Sequence, residues 1–311
     1  MSRTPDIHIC ETGLRDGLQL VRNVVPTPVK AALIDALAAS GITEIDVTSF
    51  VPTQVLPQFA DAAEVAAHAL KHPGWQVAAL APNLKGAERA IASGVHILNF
   101  VVSVSRSHNE ANVRRSPEEQ VEVARDIKAL ISSQPCESRP RLVVALATAF
   151  GCSIEGRIKR RDVYQLATQM REAGADEIVL ADTVGYADPL LIRNTVNDVR
   201  HAVGEEFPIR LHLHDTMGTG MANVLAGIEI GVKRFDAAFG GLGGCPFAPG
   251  ASGNIATEDL VFMAEQMGLR TGIDLKKLIK ATNSLAHHLP QERMRSHVRE
   301  AGIPRVYRTA A

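Results

Sequence analysis

The sequence has no long apolar run, no excess of one charge, few aromatic residues and no closely spaced cysteines. Its longest apolar stretch, residues 142–150, is too short to span a bilayer and is broken by Thr148, so no membrane partner is expected. Lys and Arg number 33 against 34 Asp and Glu, a net charge of −1, which argues against nucleic acid or an anionic surface as the partner. One Trp, three Tyr and nine Phe offer no stacking platform for bases. Cys10, Cys136, Cys152 and Cys245 form no CxxC pair, so neither a disulfide framework nor a zinc ribbon is suggested. No signal-peptide core follows Met1, and Arg308–Ala311 carries neither a prenylation box nor a peroxisomal address. The expected setting is the cytoplasm.

What is present is an ordinary globular balance, 46% hydrophobic and 22% charged, enough apolar surface to offset the entropy of folding. Eight runs rich in Val, Ile and Leu read as strands: 7–10, 44–50, 76–81, 95–103, 141–150, 177–182, 209–215 and 234–240. Helical patterns follow each of them, at 28–40, 58–71, 84–93, 117–133, 161–173, 189–203, 222–230 and 257–267. Several end at glycine, and Pro28, Pro117 and Pro189 stand at their starts. Eight strand–helix units predict an α/β fold, a (β/α)₈ TIM barrel forming a catalytic domain over 6–270. A C-terminal extension, 271–311, carries a helix at 275–288 and a basic tail, 291–308, expected to pack on the barrel or to trail it as a solvated terminus.

Active sites of such barrels lie at the C-terminal ends of the strands, and polar residues cluster there. Strand 1 runs into Glu11, Arg15, Asp16 and Gln19; strand 2 holds Asp46, Thr48 and Ser49; strand 6 ends in Asp182 and Thr183. His212 and His214, two apart on strand 7, point to one face. They read either as core histidines satisfied by neighbours or as half of a cation site. Asp16 supplies a hard oxygen and Asn254 a neutral one, a set that suits Mg²⁺ or Mn²⁺ and admits Zn²⁺. Arg15 beside such a site calls for a carboxylate or a substrate oxyanion as partner. Six glycines within residues 240–253 let the backbone move or approach a ligand, and this loop presents Cys245.

These segments, Arg15-Asp-Gly-Leu-Gln19, Asp46-Val-Thr-Ser-Phe50, Ala81–Gly86, His212-Leu-His-Asp-Thr216 and the glycine loop Gly240–Asn254, resemble the 3-hydroxy-3-methylglutaryl-CoA lyases over roughly residues 6–290. These lyases are relatives of the isopropylmalate and homocitrate synthases. The resemblance implies a (β/α)₈ barrel, a homodimer, an acyl-CoA thioester substrate and a divalent metal, Mg²⁺ or Mn²⁺. Matched by motif, Asp16, His212, His214 and Asn254 are the expected metal ligands. Arg15, Cys245 and Asp46 are the expected catalytic residues, with Arg15, Gln19, Ser49, His108 and Thr183 expected to contact substrate. The implied reaction is carbon–carbon cleavage of a 3-hydroxy-3-methylglutaryl-CoA-like thioester to acetyl-CoA and a keto acid.

Three departures bear on the acyl group. Asp46 stands where these lyases carry Glu, His108 where they lack such a residue, and Cys152-Ser-Ile154-Glu-Gly156 where they have Cys-Pro-Tyr-Glu-Gly. All three are expected to border the pocket, which brings in citramalyl-CoA or a longer-branched 3-hydroxyglutaryl-CoA as alternative substrates. A condensing enzyme joining acetyl-CoA to a 2-oxo acid is the competing class. It would use the same metal set and Arg15, but such synthases lack the cysteine loop and extend well beyond the barrel. A catalytically dead scaffold barrel would predict a broken ligand set, whereas all four candidate ligands are present.

Overall fold

The structure is a computed structural model that describes residues 4–244 and 253–310. Strands β1 (His8–Glu11), β2 (Glu44–Ser49), β3 (Gln76–Leu80), β4 (Ile97–Ser103), β5 (Arg141–Ala147), β6 (Glu177–Asp182), β7 (Ile209–Leu213) and β8 (Arg234–Ala237) pair in parallel, in chain order, and close through β1 and β8. Every residue of β2, β6 and β7 is buried, as strands covered on both faces require. The outer ring is α1 (Thr27–Ala39), α2 (Ala62–Ala69), α3 (Leu84–Ala92), α4 (Arg106–Val113), α5 (Pro117–Ser132), α6 (Arg160–Glu172), α7 (Pro189–Val203), α8 (Gly220–Glu229) and α9 (Thr257–Gln266). Local chemistry sets several starts. Ser116 and Glu119 form a reciprocal capping box on α5, and the Asp188 carboxylate caps α7.

The expected barrel is therefore the observed one, with three local differences. Residues 103–116, between the expected strand 95–103 and helix 117–133, contain α4, whose start the Ser105 hydroxyl caps by accepting from His108 N–H. Strand 5 stops at Ala147, since Thr148 adopts a left-handed φ of 58° and leaves the ladder. The first part of the tail is tied down. After α10 (Leu275–Ala286), Arg295 N–H donates to Gly240 O, and the start of α11 (His297–Ala301) is held by the Asp259 carboxylate through the N–H groups of His297 and Val298.

The barrel interior is split by chemistry. On one side Ala78, Ile97, Val143 and Val179 make an apolar cluster of their own. On the other side, at the N-terminal floor, Arg210 lies 2% exposed among three carboxylates. Its guanidinium donates to Glu177 Oε1 at 2.8 Å, Asp236 Oδ1 at 3.0 Å and Glu44 Oε1 at 2.5 Å. Arg234 donates to the same Glu177 and Glu44, at 2.8 and 2.6 Å. Burial opposes the Arg210 charge, but the carboxylates outweigh it and raise its pKa. Removing one partner of such a set strands the others in low dielectric. Arg210→Met should therefore lower unfolding stability by about 3–5 kcal/mol in urea denaturation, and a loss below about 1 kcal/mol would show that the floor is not held by this cation.

Candidate active site

The chain leaves β1 in one wide turn, Gly13–Gly17, in which Thr12 O accepts the N–H groups of Arg15, Asp16 and Gly17 at 3.0, 2.8 and 3.2 Å. Such π-type turns occur frequently at functional sites, and this one lifts Arg15 and Asp16 over the barrel mouth. Glu11 anchors the turn, its carboxylate accepting from Gly13 N–H, Phe239 N–H and the Thr257 hydroxyl. Burial raises the Glu11 pKa to about 8.

Arg15 Nε donates to Asp46 Oδ2 at 2.7 Å and Nη1 to Asp16 Oδ1 at 2.5 Å. Burial works against the Arg15 charge, yet these two carboxylates hold the guanidinium firmly protonated. From β7 the His212 and His214 rings face one another with their Nε2 atoms 3.2 Å apart. Asp16 Oδ2 lies 3.6 Å from His214 Nε2 and 3.9 Å from His212 Nε2. A triangle of these edges suits a shared ion about 2.1 Å from each corner. Burial lowers the His214 pKa, which keeps the ring neutral as a ligand must be, and its Nδ1 has no partner among the described residues. Burial also opposes charge on His212, but Asp236 and Asp16 outweigh it and raise the pKa.

Asn254 is drawn to the set by a backbone bridge to His214. Its amide nitrogen donates to Asp16 Oδ2 at 2.7 Å and Leu242 O at 3.0 Å, while Oδ1 is buried without a partner among the described residues. Turning this amide over would present that oxygen beside Asp16. Gly243 allows the approach: its φ is +121°, and a Cβ there would lie 2.6 Å from Asn254 Nδ2.

The Arg15–Asp16–histidine cluster borders a cavity of about 220 Å³ with two unlike walls, and Asn254 is not among the lining residues. Arg15, Asp16, His212, His214 and Asp236 form the charged wall, and Leu80, Val101, Ala145, Ala147, Val179 and Ala181 form an apolar one. Gln19, His108 and Thr183 also line it, as expected of substrate contacts. His108 Nδ1 is 2.8 Å from the Ser103 hydroxyl. The other expected positions are not among the lining residues. Ser49 is fully buried in β2, and Val51, Val55 and Leu56 of the following segment supply that wall. Asp46, expected to be catalytic, is 0% exposed beneath Arg15 and holds its guanidinium. Ile154, expected at the pocket border, is 50% exposed at the tip of the turn closed by the Cys152–Gly156 bridge. Cys245 lies outside the described residues.

Two functional groups were absent from the sequence reading. Asp236 Oδ2 backs His212 Nδ1 at 3.1 Å, and its other oxygen is held by Arg210. Strand periodicity carried the signal for Arg210, which stands two residues before His212 and so shares its face. Asp236, on the inward face of β8, has its pKa pulled down: burial opposes its charge, but Arg210 and His212 outweigh it.

A closed eight-stranded barrel with this mouth is in class an enzyme with a possible metal site, whose Asp16, His212 and His214 ligand atoms all fall within 4.8 Å of one another. The HMGL-like family model matches residues 6–285, and the chain belongs to that family. It is 40% identical to the mitochondrial hydroxymethylglutaryl-CoA lyase of Macaca fascicularis over 286 residues, covering 91% of this chain and 86% of that one. It is 38% identical to the cytoplasmic 3-hydroxy-3-methylglutaryl-CoA lyase of Rattus norvegicus, covering 88% and 79%. Among solved structures it is similar to an HMG-CoA lyase from Acinetobacter baumannii in complex with coenzyme A and 3-methylmalate, with a TM-score of 0.89, 39% identity and 99% of each chain covered. Among the described residues no helix is long and apolar enough to cross a membrane.

Carboxylates behind ligating histidines fix ring orientation and basicity. Asp236→Asn keeps the shape of the partner and removes its charge, so affinity for Mn²⁺, measured by calorimetry, should fall about 10–100-fold with the fold retained. Unchanged affinity would reject this role.

Proposed function

We propose that the protein is a divalent-metal-dependent carbon–carbon lyase that cleaves 3-hydroxy-3-methylglutaryl-CoA to acetyl-CoA and acetoacetate, with Mg²⁺ or Mn²⁺ held by Asp16, His212, His214 and Asn254. The observation that carries the proposal is the Asp16–His212–His214 triangle directly beside Arg15 on the charged wall of a cavity whose other wall is apolar. Cleavage between C2 and C3 requires the 3-hydroxyl to lose its proton while the bond's electron pair moves onto the thioester as an enolate. A divalent ion in the set would polarise that hydroxyl and ease its deprotonation.

The chain's own residues supply the rest. Arg15 is pinned at Nε by Asp46, so it presents donors in a fixed direction where negative charge grows on the thioester oxygen. Gln19, His108 and Thr183 contact the substrate around it, and the Cys245 thiol returns a proton to C2 of the acetyl unit. Asp236 keeps His212 oriented through the cycle. The apolar wall, where three of the residues named are alanine, favours a second reading in which a longer branch at C3, or the shorter acid of citramalyl-CoA, is also accepted. A cytoplasmic setting and a homodimer belong to the same proposal, the first supported by the likeness to a lyase named cytoplasmic and the second by the family resemblance.

The test is a panel of thioesters assayed for acetyl-CoA release with Mg²⁺: 3-hydroxy-3-methylglutaryl-CoA, citramalyl-CoA and longer-branched 3-hydroxyglutaryl-CoA analogues. The methylglutaryl thioester should be cleaved, and each added methylene should change kcat/KM by only about 10–200-fold, the leakiness expected of a hydrophobic pocket. Release of free CoA from acetyl-CoA plus a 2-oxo acid, with no cleavage of any thioester, would assign the site to a condensing enzyme instead.

A further inference from the structure

Away from the barrel mouth, three more metal-ligating side chains converge on the outer surface. Asp35 projects from α1; His68 lies on α2, and His72 follows one turn later, where its N–H donates to Ala69 O at 3.1 Å. His68 Nε2 is 2.8 Å and His72 Nε2 2.9 Å from the same oxygen, Asp35 Oδ1. Histidines four apart on a helical path share a face, so the two rings reach one point from one side. The rings sit 6.1 Å apart, centroid to centroid, and both are only about a quarter exposed. Trp75, itself buried, packs against the His72 ring with centroids 5.0 Å apart and limits its rotation. The ligand atoms of all three residues lie within 4.8 Å of one another.

We propose that Asp35, His68 and His72 form a second, structural metal site for a zinc-type divalent cation, bridging α1 and α2 on the outside of the barrel. Two imidazoles and one carboxylate are a donor set that zinc accepts in tetrahedral coordination, with water completing the fourth position. The mouth offers the same pair of imidazoles with one carboxylate, so the two sites are told apart by position and by substitution rather than by donor type. The two imidazoles already aim their Nε2 atoms at the carboxylate oxygen. Binding exchanges an N–H···O contact for coordination at the same atoms and clips two neighbouring helices together. No reacting group of the barrel mouth takes part.

The test is equilibrium dialysis of the purified protein against Zn²⁺, with bound metal counted by atomic emission. Wild type should hold one equivalent more than His72→Ala, and Zn²⁺ should raise the Tm of wild type more than that of the variant. Circular dichroism verifies that His72→Ala is folded. Asp35→Asn, which keeps both rings, should weaken this extra binding by at least the roughly 10–100-fold that loss of an outer-shell partner causes. Equal zinc stoichiometry in wild type and His72→Ala, or undiminished affinity in Asp35→Asn, would overturn the proposal.

Discussion

Arg210 is the constraint around which the reactive half of the barrel is arranged. A guanidinium in the floor of a closed barrel has no water to solvate it, so its charge survives only among anions. Glu44, Glu177 and Asp236 supply them from β2, β6 and β8. Those three strands are thereby fixed in relative height, and one of the carboxylates is passed upward. Asp236 uses one oxygen for Arg210 and the other for His212, which connects a structural ion cluster to a ligand candidate at the mouth. A second relay rises from β2, where Asp46 holds Arg15 and Arg15 holds Asp16. Positive and negative groups alternate from floor to mouth, and the buried charges of this wall meet opposite charge.

The opposite side of the interior follows a different rule. Ala78, Ile97, Val143 and Val179 fill it with small apolar groups, and the same chemistry continues upward in Ala145, Ala147 and Ala181. The result is a cavity with one wall able to stabilise developing charge and one able only to exclude water. Electrostatic stabilisation is strongest in such a setting, because donors aimed at a growing oxyanion are not weakened by competing solvent. In the proposed reaction a thioester with a branched tertiary alcohol would turn its oxygens to the charged wall and its carbon to the apolar one.

The fold was readable because its signals are local and repeated: Val- and Ile-rich runs buried on both faces, helical patterns between them, and glycine or proline at the ends. The core of the candidate site was readable because barrel geometry places strand ends together, so that Arg15, Asp16, His212 and His214 could be associated from order alone. What sequence missed depends on pairing across the barrel. Asp236 is inconspicuous in β8 until Arg210 and His212 stand on either side of it. Ser49 and Ile154 were expected at the pocket from the family resemblance, yet one is buried within its strand and the other sits at a turn tip. Composition left open whether the tail packs on the barrel, because Asp259 and Gly240 hold its first residues through backbone groups that composition does not report.

In the proposed reaction, chemistry at the mouth depends on a divalent ion held by the Asp16–His212–His214 set with Arg15 beside it. This dependence is tested most directly by following acetyl-CoA release from 3-hydroxy-3-methylglutaryl-CoA after chelation and removal of all bound metal, then after addition of Mn²⁺. The account predicts no turnover in the stripped protein, which stays folded by circular dichroism, and recovery on Mn²⁺ addition. Full turnover by the metal-free protein would contradict it.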